Sequence, residues 1–178
     1  MNVFKWFLSR KVFLLPAAAL LLSLSGCGYH VGSIGHPQIK TVAIAEVKNE
    51  TFEVLASTLL RNVLAERFMF DNTLKLTSME KADCIVYARV LNVYNRSISW
   101  KRTSRVEDYR ANEYTLSIQV EYTVLIPGSA KPLVPKNTAI ASSTYLFAHD
   151  PAIGRANALK QCMLRIADQI VSATTEAW

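Results

Sequence analysis

Between Glu113 and Ile126 the chain alternates more cleanly than anywhere else. Tyr114, Leu116, Ile118, Val120, Tyr122, Val124 and Ile126 interleave with Glu113, Thr115, Ser117, Gln119, Glu121 and Thr123. Successive strand side chains point to opposite faces, so this period of two predicts a strand with one apolar and one wetted face. Pro127-Gly128 ends it. Weaker alternation predicts strands over Lys40–Val47, with Val42 and Ile44 on one face, over Leu74–Thr77, and over Asn137–Phe147. In residues 84–100, Val86, Ala88 and Val90 alternate until Leu91 and Asn92 disturb the phase, and a bulge there restores the face.

Two segments switch to the helical period. Apolar residues at 52, 55, 56, 59, 60, 63, 64 and 68 fall on one helix face for over four turns, and Asn49 and Thr51 offer caps just before them. Glu53, Arg61, Asn62, Glu66 and Arg67 read as the solvated face of that helix. Asp150-Pro151 sets a second helix start, with a stripe of Ala152, Ala156, Leu159, Met163, Ile166 and Ile170 running nearly to Trp178. The element order β-α-β-β-β-β-α predicts an α+β fold: a two-layer sandwich, with both helices on one face of a mixed or antiparallel sheet. A 14-residue strand from Glu113 spans about 46 Å at ~3.3 Å per residue, against about 25 Å for the helix from Phe52 to Phe68. The strand pair therefore outruns its cover, and the tip from Trp100 to Arg110 is expected to project.

Upstream the pattern has another meaning. Lys5, Arg10 and Lys11 precede an apolar run from Val12 to Leu24, too short for a bilayer span but right for a secretory signal. It ends in Leu24-Ser25-Gly26-Cys27, which resembles the lipobox at which bacterial lipoproteins are cleaved and acylated. The expected layout is a signal peptide over 1–26, a lipidated tether over 27–38 rich in glycine and proline, and one α+β domain over 39–178. Cys27 would carry diacylglycerol and an N-acyl chain. Each buried methylene contributes ~0.8 kcal/mol, so several chains hold a protein where one is marginal. Gly28, rather than aspartate, after Cys27 favours the outer membrane.

Composition narrows the function classes. Loss of Lys5, Arg10 and Lys11 with the signal lowers the formal charge from +6 to +3, too mild for a nucleic-acid binder. Cys84, opening a strand, and Cys162, on a helix, would face an oxidising compartment, where either a disulfide or two buried thiols is open. The spacing of the cysteines matches no metal site. His149-Asp150 lacks any accompanying nucleophile elbow or phosphate loop, so no enzyme is expected.

Taken together, the chain resembles the LptE family of lipopolysaccharide-assembly lipoproteins. The resemblance rests on the lipobox followed by Gly28-Tyr29-His30, on Thr41–Ile44 leading through Asn49 and Thr51 into a helix, on Ala82-Asp83 before the long strands, and on Glu176-Ala177-Trp178. It implies a lipoprotein of the outer membrane's periplasmic side that plugs and helps assemble a β-barrel of the LptD kind, contacts lipopolysaccharide, and needs no cofactor beyond its own lipid. Arg96, Lys101, Arg102, Arg105 and Arg110, interleaved with Tyr94, Trp100 and Tyr109, are the candidate contacts, because guanidinium forks pair well with the phosphates of such a ligand. The alternative is another periplasm-facing lipoprotein of similar fold, such as a cell-wall-synthase activator or a secretion-pore subunit.

Overall fold

The computed structural model describes residues 39–102, 109–147 and 150–176, with backbone alone at 99–102 and 109–112. Cys27, the signal segment, the tether and the tip residues 103–108 lie outside the described residues. The elements run β1 (Thr41–Ile44), β2 (Lys48–Asn49), α1 (Ala56–Asp71), β3 (Lys75–Leu76), β4 (Cys84–Arg102), β5 (Tyr109–Leu125), β6 (Val134–Leu146) and α2 (Pro151–Thr175). The sheet is mixed and six-stranded. Its order is β3-β1-β4-β5-β6, with β2 following β1 along the same side of β4. β1, β2 and β3 pair in parallel and β4, β5 and β6 antiparallel. The α+β order read from the sequence holds, and the first strand is divided in two.

The core follows from the alternation of β5. Leu116, Ile118, Val120 and Val124 are fully buried beneath α1 and α2, together with Val86 and Val90 of β4. The expected bulge is present. Val90 pairs with Val120 and Asn92 with Gln119, so Leu91 is the extra residue that returns Val93 to the Ile118 level. From Leu91 to Ile98 every β4 side chain is half-buried or exposed, although Ile118 and Leu116 of β5, paired with Val93 and Asn95, are fully buried.

The first helix starts later than its apolar spacing suggests. Asn49 Oδ1 accepts from the N–H and hydroxyl of Thr51, Thr51 Oγ1 accepts from the Glu53 N–H, and Asn49 Nδ2 donates to the Glu53 carbonyl. These local bonds hold residues 49–53 in a turn that competes with helix. Asn49 and Thr51 thus do not cap α1, whose N-cap Leu55 has no side-chain bond. Phe52, Val54 and Leu55 are left exposed, and Ala56, Leu60, Val63, Leu64 and Phe68 form the buried stripe. The helix ends at Asn72, in the left-handed region at φ 55°, a conformation asparagine tolerates.

Asp150 caps α2 as expected, its Oδ1 accepting from Ala152 and Ile153 N–H. Ala152 and Ala156 are exposed, however, and the stripe runs instead through Ala158, Leu159, Cys162, Met163, Ile166, Ala167 and Ile170. Gly154 explains the shift. A Cβ there would lie 3.1 Å from the Tyr145 ring and 3.3 Å from the Leu146 carbonyl, so glycine lets the first turn sit against the end of β6. Farther along, Arg165 donates to the Ser142 carbonyl (2.7 Å) and Gln169 to that of Ile140 (3.2 Å), closing the outer edge of β6. Two residues expected only to face water join the helices. Glu53 pairs with Arg155, and Arg67 reaches Asp168 through Nη2 at 3.2 Å, with Nε 2.9 Å from Oδ1 but misaligned for a hydrogen bond. These contacts fix α1 and α2 as parallel neighbours.

At the start of the sheet, Asp83 Oδ2 accepts from the Lys40 N–H (2.9 Å), the Thr41 N–H (2.9 Å) and the Thr41 hydroxyl (2.8 Å), tying β1 to the lead-in of β4. The Lys40 amide, then the Thr41 hydroxyl and amide, hold the Asp83 carboxyl below its ordinary value. A carboxyl lowered on folding adds stability above its unfolded pKa of about 3.9, and that stability disappears as pH falls through the folded value. Acid unfolding between pH 5 and pH 3 should therefore show a shallower loss of stability in Asp83→Asn than in the native chain. Phe68 is fully buried and Phe70 is 82% exposed. Phe68→Ala should cost about 3–5 kcal/mol in urea unfolding and Phe70→Ala within about 0.5 kcal/mol of nothing.

Candidate functional site

Apart from a small buried cluster of Ala43, Ala45, Ala82 and Ile85 at its β1 end, the sheet face turned away from the helices has no helix across it among the described elements. Alternation places Tyr87 and Arg89 of β4, and Gln119, Glu121 and Thr123 of β5, on this side, where β6 adds Lys136. Near its centre Ser117 and Ser142 share a 2.7 Å hydroxyl–hydroxyl bond across β5 and β6. Ionic chemistry concentrates at one end. Glu121, with a side chain 21% exposed, lies 2.8 Å from Lys136 Nζ and 4.0 Å from Arg89 Nε, and Arg89 Nη1 reaches Glu50 at 2.9 Å. Arg89, Glu121 and Lys136, together with Glu46, Lys48, Tyr87 and Thr123, line an open pocket of about 180 Å³.

Two cations sharing one half-buried carboxylate can exchange that partner for a stronger anion. A phosphate ester offers up to two charges and three acceptor oxygens, which suit the guanidinium fork of Arg89 beside the ammonium of Lys136. Tyr87 adds a ring beside the pair, 37% exposed. Nothing here resembles a nucleophile with its base, and no group of metal-ligating side chains occurs among the described residues.

The residues singled out from the sequence fall elsewhere. Arg96 is exposed on β4 and paired with Thr115 of β5. The register sets Lys101 opposite Arg110 and Arg102 opposite Tyr109, so the β4–β5 pairing continues to the last described residues of the hairpin; their side chains and Arg105 lie outside the described residues. Arg89, Glu121 and Lys136 were not among the candidates. Their signal was faint: Arg89 breaks an apolar run and Glu121 sits within the polar register of β5. Only long-range pairing joins them to Lys136. The rings of Tyr114 and Tyr145 stack at 5.7 Å, and Phe147 lies 5.6 Å from Tyr114.

A family model described as LptE, lipopolysaccharide-assembly, matches residues 39–174. The chain belongs to the LptE family. A comparison with curated proteins gives no match. Among solved structures, a protein from Xanthomonas campestris aligns at TM-score 0.54 and 10% identity, over 80% of this chain and 88% of that one, which supports the fold alone. A putative lipoprotein from Caulobacter crescentus aligns at 0.47 and 21% identity, over 74% and 88% of the two chains. The rare lipoprotein B from Shewanella oneidensis aligns at 0.41 and 16%, over 74% and 92%. The long antiparallel β4–β5–β6 sheet backed by two helices is thus how this LptE chain is built. No described helix is long and apolar enough to cross a membrane.

The two cysteines have no role in such a site. Both are free and buried. Cys84 Sγ donates to the Thr41 carbonyl at 3.6 Å and Cys162 Sγ to that of Leu116 at 3.5 Å. Burial pushes the Cys84 thiol up to about 12 and the Cys162 thiol to about 11. The thiolate is the reactive form, so both are inert at neutral pH. Iodoacetamide at pH 7.5 should leave Cys84 and Cys162 unlabelled in the folded protein and label both in denaturant, read by mass spectrometry.

Proposed function

We propose that this LptE chain is a non-catalytic outer-membrane lipoprotein, anchored through acylated Cys27, that plugs and helps assemble a lipopolysaccharide-translocating β-barrel of the LptD kind. In this reading it contacts lipopolysaccharide on its way to the outer leaflet. The observation that carries it is the uncovered polar face of β4–β6. One side of the sheet is sealed by helices, and the other presents hydroxyls, amides and balanced ion pairs, as suits a surface enclosed in a polar barrel lumen. Family membership supports the assembly role, and the Arg89–Glu121–Lys136 cluster supplies a place for the ligand's phosphates. The basic residues singled out from the sequence, Arg96, Lys101, Arg102, Arg105 and Arg110, are a second candidate for contact with those phosphates.

The test uses the full chain, extracted with its neighbours from outer membranes in detergent. A large barrel should co-purify in equal amount, and labelled palmitate should be incorporated by the native chain but not by Cys27→Ala. Purified chain should bind lipopolysaccharide micelles at low salt. Arg89→Glu with Lys136→Glu should weaken that binding about tenfold, or ~1.4 kcal/mol, with a smaller effect at 0.5 M salt. Arg102→Glu with Arg105→Glu separates the hairpin from the sheet face. Native binding by both double variants, together with no co-purifying barrel, would overturn the reading.

A further inference from the structure

β4 has a neighbour on both sides only along its first half. β1 pairs with Cys84, Ile85 and Val86, and β2 with Arg89 and Val90. The last contact on that outer side is the Glu50 N–H to the Val90 carbonyl at 3.0 Å. Beyond it β5 continues alongside the inner edge as far as Arg102, and no described strand joins the outer one. From Asn92, opposite Gln119, to Ser97, opposite Tyr114, the register runs without a shift between two irregularities. This is a straight edge of about 20 Å at ~3.3 Å per residue. The Val90 carbonyl points outward, and the bulge at Leu91 resets the alternation, so the outward peptide groups that follow are those of Val93, Asn95 and Ser97. No described residue hydrogen-bonds them from that side.

The contrast with the opposite edge is informative. Two outer carbonyls of β6, those of Ser142 and Ile140, accept from Arg165 and Gln169 of α2, whereas this half of β4 has no such bond among the described residues. An open edge is a template for another extended chain, whose backbone completes the ladder and whose alternate side chains set the selectivity. Charge selects the occupant. From Cys84 to Arg102 the strand carries Arg89, Arg96, Lys101 and Arg102 and no acidic residue. Two copies of β4 laid edge to edge would set like charges against each other, which is unfavourable. An apolar anchor lies at the inner end. Phe52 is fully exposed and Leu55 65% exposed, just where the chain leaves β4 after Asn49.

We infer that the Asn92–Ser97 edge of β4 is a docking strand for an extended acidic segment of a partner protein. The segment would continue the line of β2 along the sheet and rest an apolar residue against Phe52 and Leu55. This goes beyond the lipopolysaccharide reading and requires neither the lipid nor the barrel.

The test takes the full chain, isotope-labelled in detergent, with two eight-residue probes: one alternating glutamate and valine, the other lysine and valine. The acidic peptide should shift the amides of Val93, Asn95 and Ser97 and slow their exchange, and the lysine peptide should bind at least tenfold more weakly. Arg96→Glu should reverse that ranking. Ser97→Pro removes an outward N–H and leaves the ladder to β5 intact, since proline is tolerated where the N–H faces away from the partner strand. It should abolish binding while the amide pattern of β5 and the helices stays native. The inference is overturned by the absence of a shift at millimolar acidic peptide or by equal response to both peptides. It is overturned equally by concentration-dependent protection of these amides without peptide, which would assign the edge to a second copy.

Discussion

Strand β5 pairs on both sides, with β4 and β6, and from Tyr114 to Val124 turns its apolar residues to one face, so that face has to be sealed. Leu116, Ile118, Val120 and Val124 lose all contact with water because α1 and α2 lie across them. Burying such side chains contributes roughly 1.5–3 kcal/mol each, and no other described surface of the chain offers a comparable seal. The helices are in turn held as parallel neighbours by the Glu53–Arg155 and Arg67–Asp168 pairs. The Gly154 contact and the Arg165 and Gln169 bonds then seat α2 against the end and outer edge of β6.

A sheet sealed on one side has its chemistry on the other. The second face need not be apolar, and beyond the small cluster of Ala43, Ala45, Ala82 and Ile85 it carries hydroxyls, amides and shared ion pairs. Glu121 between Arg89 and Lys136 is held by partners it can exchange, unlike the buried groups beneath the helices. The same economy of cover explains the outer half of the β4–β5 pair. The β4 side chains beyond Val90 are half-buried or exposed, and the strand loses its outer neighbour after Asn49. Membership of the LptE family makes these the surfaces of a lipopolysaccharide-assembly protein.

Local competition accounts for where the elements begin. The apolar residues at 52 and 55 continue the helical stripe on paper, yet Asn49, Thr51 and Glu53 satisfy one another's backbone groups in a turn, and the helix waits until Ala56. The aromatic and aliphatic side chains left outside the core then become surface. Conversely, β6 starts at Val134, earlier than the expected Asn137. The register shift between Tyr122 and Val124 sets Pro135 and Lys136 opposite the single residue Thr123, one residue in excess, and Lys136 reaches Glu121.

Order and type of the long elements, the bulge at Leu91, the Asp150 cap and the two-faced character of β5 were determined by the sequence alone, since each depends on a period or a residue type within a few positions. The meeting of Arg89, Glu121 and Lys136, the ion pairs between the helices, the free state of the two cysteines and the half-open edge of β4 were decided only in three dimensions. They depend on strand register and helix packing between residues from 15 positions apart, as in Glu121 and Lys136, to 102 apart, as in Glu53 and Arg155. One step in such a register moves a side chain to the opposite face, and nothing local records which step is taken.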